Sequence, residues 1–350
     1  MSEEAAHAAK QKNSVKMKDN VKMKNSVKMR NRIPWVDIAK GIAILATIIG
    51  HTFSYGTNGR NLIFSFHMPL FFILTGYTIH TVADWQSFWR GLRKDLRYLI
   101  LPCLGFQAVN LIFSILRYGD VSGQFVHMLK QLYWASAVDH AGHPGIGMLW
   151  FLVVLFWAKQ MYRLIGLMVK SEFSPVCFFL SACFGKMLSA ITWLPQSFDL
   201  VFVAVLFIWA GSALRQYEQE IRPYWLILFM VGFVFWMYEV QNGVYIEIGT
   251  RSYPDFPLSL VEAVAGSMSI FLLAKAISDI KYCALPLTAI GRNTLIILGV
   301  HHLDGWAFPI WGNYGGVSLF LFRILFDLSI AAVLILCRKL VSGCLQKRIA

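Results

Sequence analysis

The chain has 350 residues, of which 57% are hydrophobic and only 15% charged, with 27 Phe and 12 Trp; soluble domains run nearer ~45–50% apolar and about 25% charged. This excludes a disordered protein, a disulfide scaffold and an ordinary cytosolic enzyme, and leaves a polytopic membrane protein, because each spanning helix needs about 20 mostly apolar residues. The net charge of +13 is not a nucleic-acid signal, since residues 1–32 alone hold nine Lys/Arg against Glu3, Glu4 and Asp19 and the remainder flanks apolar runs, where basic residues set topology.

Residues 1–32 contain the near-repeat NSVKMK, DNVKMK, NSVKMR and read as a disordered, basic cytoplasmic tail, with contact to anionic lipid headgroups as the sharper alternative. From Ile33 the pattern predicts one all-α membrane domain, 33–350, of about ten spans: 34–56, 61–81, 97–116, 147–168, 174–192, 196–214, 222–240, 257–278, 285–304 and 318–340. Placing the N-terminus in the cytoplasm puts fifteen Lys/Arg of the domain inside against Arg60, Arg117, Lys130 and Arg251 outside. That asymmetry predicts cytoplasmic termini in a cell membrane. The six cysteines lack metal-ligand spacing and read as apolar fillers.

The first span carries Asp37, Lys40 and His51. Eleven residues are about three helical turns, so Lys40 and His51 share a face, roughly 16 Å apart along the axis; Asp37 is placed to pair with Lys40. The second span, NLIFSFHMPLFFILTGYTIH, brings His67 to a similar depth on the adjacent helix, and Pro69 is placed to kink it. Ionisable groups inside a membrane are functional candidates by default, and histidine suits general base chemistry near neutral pH. The bland alternative is a snorkelling Asp37 and Lys40 with a structural His51.

After the second span, WRGLRKDLRYLILP repeats Arg90, Arg93 and Arg97 at helical spacing. This is either a topology cluster or a cradle for phosphate, which arginine forks suit. The connection 117–146, with His127, His140 and His143, reads as a solvated loop rather than a metal site. Glu262 falls near the outer end of the eighth span, level with the histidine pair. Arg292 and Asn293 open the ninth on the cytoplasmic half, and His301 follows nearer the outside. Lys186 and Arg323 fall within spans without an assigned role.

The runs DIAKGIAILATIIGH and FSFHMPLFFILTGY, with the basic cluster through Arg97 to Pro102, LWFL at Leu149–Leu152 and GRNTLIILGVHH at Gly291–His302, resemble the acyltransferase 3 family of integral membrane acyltransferases, most closely its fucose 4-O-acetylase-like branch. The resemblance spans about residues 34–340. It implies a ten-span enzyme that moves an acyl group, usually acetyl, from cytoplasmic acyl-CoA to a hydroxyl of a cell-envelope or exported carbohydrate. His51 carries over as the essential histidine, with Lys40 in a basic position where Arg is common. A fused extracellular SGNH hydrolase-like domain, present in some relatives, is not expected.

The expected roles are therefore His51 as base, Lys40, His67 and Glu262 as catalytic partners, and Arg90, Arg93, Arg97 and Arg292 as ligands of the coenzyme A phosphates. No metal and no nucleic acid is expected; lipid and a glycan acceptor are. The rival readings are a transporter or flippase of an envelope precursor, and a membrane module serving a partner enzyme such as an amino-acid racemase.

Overall fold

The computed structural model describes residues 32–307 and 316–349, with the side chains of 316 and 343–349 excepted. The tail expected over 1–32 thus lies, but for Arg32, outside the described residues. Among these the secondary structure is helical, with two isolated β-bridges, His140 to His143 and Glu247 to Ser252.

The helices are α1 Pro34–Gly50, α2 Asn58–Thr78, α3 Trp85–Asp95, α4 Leu101–Tyr118, α5 Val121–Trp134, α6 Trp150–Met168, α7 Ser174–Ile191, α8 Phe198–Gln216, α9 Trp225–Gln241, α10 Leu258–Ser278, α11 Lys281–Gly291, α12 Thr294–Leu303 and α13 Gly316–Ile349. A π-helical turn, Leu96–Ile100, joins α3 to α4. Pro34 opens α1 at its first turn, where its missing N–H costs no hydrogen bond. Asp84 caps α3 by accepting the Ser87 backbone N–H at 2.7 Å, and that bond holds its carboxyl below the usual carboxylate range.

Among the described residues, seven helices are long and apolar enough to cross a membrane, or eight if Lys281–Gly291 and Thr294–Ala307, bent by 63°, form one broken span. The protein is a multi-pass membrane protein, but ten spans are not confirmed. The shortfall lies in the first two elements. At 17 residues, α1 is about 25 Å long, short of the ~30 Å hydrocarbon core; α2 dilutes its apolar run with Arg60, Asn61, Ser65 and His67. Both are central: Ile38, Ile44, Ile48, Leu70, Phe72 and Leu74 are fully buried. The peripheral spans Trp85–Tyr118 and Glu218–Gln241 are each only 11% buried and present apolar side chains such as Leu116, Leu226 and Val231 outward, as a lipid-facing wall does.

Two glycine crossings set the helix spacing. A Cβ on Gly291 would lie 1.7 Å from the Asp37 carbonyl oxygen, and one on Gly41 2.3 Å from that of Leu287, so α1 and α11 touch backbone to backbone. Gly76 and Gly211 do the same for α2 and α8, at 1.8 Å from the Ile208 and 1.9 Å from the Ile73 carbonyl oxygens. Small residues permit such approach in membranes. Pro69 does not interrupt α2, which continues through it.

The 117–146 connection departs from the expected solvated loop, since it contains α5. Gly119 turns the chain at φ 73°, and the Asp120 side chain accepts the Gly123 N–H at 2.9 Å, a standard helix start. Residues 135–149 then fold back over the His51 end of the bundle. His140 stacks on Trp193 at 3.8 Å and His143 on Trp134 at 3.7 Å. Arg251 lies 3.6 Å over Trp193 and grips Asp199 through two bonds of 2.9 and 3.2 Å.

Candidate active site

His51 caps α1, its backbone N–H donating to the Thr47 carbonyl at 3.1 Å. Its side chain lines a cavity of about 420 Å³ together with His67, His302, Arg60, Glu247 and Trp150. The 137–148 and 247–250 segments roof this chamber. His67 donates from Nδ1 to the Ile63 carbonyl at 2.8 Å, which leaves Nε2 with a lone pair. The Phe64 ring meets both imidazoles edge-on, at 5.2 Å from His51 and 4.7 Å from His67.

One wall of the chamber is polar. Arg60 donates to Glu247 at 2.8 Å and stacks between Tyr55 and Phe64, at 3.9 and 3.7 Å. Burial pushes the Glu247 carboxyl above its ordinary range, and the Arg60 guanidinium opposes that. On the other wall, His302 donates to Gln107 at 3.3 Å, Gln107 to Gln131 at 3.0 Å, and Gln131 to the Gly145 carbonyl at 2.8 Å. This amide string ties α4, α5 and the roof to the imidazole.

Below the chamber lies a smaller cavity of about 210 Å³, lined mainly by apolar side chains such as Ile44, Phe71, Leu99 and Phe151. Met68 lines both. A third cavity of about 630 Å³ opens at the Pro34 end and holds Arg32, Lys40, His80, Arg215 and Arg292. Lys40 and Thr294 line both of these lower cavities. The three therefore form a series from a cationic mouth, through an apolar waist, to a histidine chamber.

The Gly291 crossing explains the mouth. Bringing α11 against the Asp37 carbonyl sets Arg292 beside the Asp37 side chain, with Nε to Oδ2 at 3.2 Å. Asp37 thus pairs with Arg292, not with Lys40 as its spacing suggested.

A buried cluster flanks His51. The rings of His51 and His301 are 5.6 Å apart. His301 donates from Nδ1 to Asp327 at 2.8 Å and Asp304 at 3.0 Å. Arg323 binds both oxygens of Asp304, at 2.5 and 2.8 Å, and donates to the His51 carbonyl at 3.1 Å. His301, Asp304 and Asp327 have the ligand types of a metal site. His301 Nδ1, however, sits at hydrogen-bond distance from both carboxylates, closer than the roughly 3.3 Å between tetrahedral zinc ligands, and the Arg323 guanidinium already supplies positive charge to Asp304.

A family model described as an acyltransferase domain, Acyl_transf_3, matches residues 33–338. The chain belongs to that family. It is 38% identical over 78 residues to Nodulation protein NolL of Mesorhizobium japonicum (strain LMG 29417 / CECT 9101 / MAFF 303099), a stretch of 19% of this chain and 21% of that relative. The match spans about a fifth of the relative's length. No solved structure matches.

Within the acyltransferase the expected residues separate. His51 and His67 share the chamber, and Lys40 and Arg292 share the mouth. Glu262 is fully buried against Ser65 and Trp236 and does not line the chamber. Arg90, Arg93 and Arg97 are exposed and line none of the three cavities. The face of α3 that turns inward carries Phe88 and Asp95, and Asp95 bonds to Lys159 and, at 2.6 Å, to Arg163. The sequence reading missed the Asp304–Asp327–Arg323 cluster, whose only signal was ionisable residues inside apolar runs.

Proposed function

We propose that this acyltransferase takes an acyl group, usually acetyl, from cytoplasmic acyl-CoA and places it on a hydroxyl of a cell-envelope or exported carbohydrate. The observation that carries the reading is the series of three cavities. Lys40, Arg292, Arg215 and Arg32 at the Pro34 end supply cations for the coenzyme A phosphates, since charge-assisted bonds to phosphate are strong. The apolar waist suits the pantetheine arm, and the thioester reaches the chamber. The acceptor enters beside Arg60 and Glu247, whose paired charge and aromatic neighbours suit hydroxyl-rich rings. The basic asymmetry of the connections supports a cytoplasmic mouth in a cell membrane.

In the chamber His51 takes the acceptor O–H proton, and the oxygen attacks the thioester carbonyl. Collapse of the tetrahedral intermediate breaks the C–S bond, and the thiolate leaves and receives the proton. The test uses protein in lipid nanodiscs with acetyl-CoA, following release of coenzyme A. His51→Ala is expected to lose about 10²–10⁴-fold in rate while still binding acetyl-CoA. A variant retaining more than about a tenth of wild-type rate, a loss under ~1.4 kcal/mol, would overturn His51 as base.

A further inference from the structure

His301 is completely buried, and its Nδ1 faces two carboxylate oxygens, which only accept; Nδ1 therefore carries the hydrogen. That leaves Nε2, which is buried with no hydrogen-bond partner among the described residues. Buried polar atoms in native folds are nearly always paired, so an orphan needs an explanation. The adjoining imidazole is that of His51, its ring centroid 5.6 Å from that of His301, a gap that a small side-chain shift or one water closes.

We infer that His301 is a positioning residue for His51: it fixes which nitrogen of His51 carries a proton, and it takes up the charge His51 acquires during transfer. The inference rests on reading His51 as the base. With His301 neutral, Asp304, Asp327 and Arg323 sum to one negative charge; one added proton neutralises the cluster, and burial strengthens that attraction. As the acceptor proton moves to one nitrogen of His51, the proton on the other passes to Nε2 of His301. The O–C bond forms, the C–S bond breaks with its electron pair on sulfur, and the proton returns through His51 to the thiolate. Arg323 links Asp304 to the His51 carbonyl, which keeps counter-ion and base in register. A Ser-His-Asp triad orients its imidazole by the same physics.

The test measures coenzyme A release by nanodisc-held wild type, Asp327→Asn and His301→Gln. Both variants are expected to lose about 10²-fold or more in kcat, with KM for acetyl-CoA within about twofold. The solvent-isotope dependence is expected to be curved for wild type, from two protons in flight, and linear for Asp327→Asn. A second readout needs no turnover: the rate at which diethyl pyrocarbonate modifies His51, read by peptide mass spectrometry, is expected to change about fivefold or more in Asp327→Asn. Variants with kcat within about threefold of wild type and an unchanged His51 modification rate would overturn the relay. A wild type that releases no coenzyme A, but whose His51 rate responds to Asp327→Asn, supports the relay and overturns the donor reading. Melting temperatures report folding, and if Asp327→Asn unfolds, His301→Gln decides by the same two readouts.

Discussion

At the scale of single residues, the proposed reaction keeps donor binding in the cationic mouth and chemistry in the chamber. Lys40 lines both the cationic cavity and the apolar waist, so in the proposed reaction its charge acts on the donor and not on the acceptor proton. Lys40→Ala is expected to raise the KM for acetyl-CoA about tenfold, and Lys40→Arg to stay within roughly threefold of wild type, because the charge survives. Isothermal titration with acetyl-CoA checks this without turnover. Arg60 and Glu247 form a buried pair on the polar wall of the chamber. Removing one partner of such a pair strands the other charge, so Glu247→Gln is expected to cost roughly 3 kcal/mol or more, read as a lower melting temperature. Lys40, His51 and His67 were legible in the sequence because helical spacing fixes a shared face within one element. Asp304, Asp327 and Arg323 were not, because their meaning lies in the α12–α13 packing; each alone looks like a tolerated polar residue. Arg90, Arg93 and Arg97 show the converse, since spacing says that they share a face but not that this face turns outward.

At the scale of elements, glycine contacts place the chemistry. Gly291→Ala forces a methyl group into the Asp37 carbonyl, which parts α1 from α11 and shifts Arg292. Overpacking of this kind costs about 1–3 kcal/mol, and more where backbone meets backbone. Reduced thermal stability together with weaker acetyl-CoA binding is expected. Gly166→Ala in α6 is the control, since a Cβ there meets nothing within 4 Å and alanine favours helix by about 1 kcal/mol. The sequence announced most spans through unbroken apolar runs. It hid α5 because a 14-residue helix between spans is too short to stand out, although Gly119 and Asp120 were a readable start signal. Hydropathy predicts the first two helices as spans, and the structure adds that polar side chains such as Thr47, Ser65 and His67 on them are buried in the bundle interior.

At the scale of the whole molecule, orientation decides which compartment supplies the donor. In a background without reactive cysteines, Ser122→Cys is expected to react with an impermeant maleimide in intact cells and Gln86→Cys only after lysis. The reverse pattern would place the cationic mouth outside, where no acyl-CoA is made, and the proposed route would fall. The apolar waist carries one more consequence. A cleft open at both ends of a bundle would be a leak, but a hydrophobic constriction stays dry and bars ions and hydrated protons. Ile44, Phe71, Leu99 and Phe151 would then serve the proposed route as an electrical insulator between its two polar ends. On the proposed route an acyl group then crosses the membrane's thickness bound to its carrier without dissipating the membrane voltage.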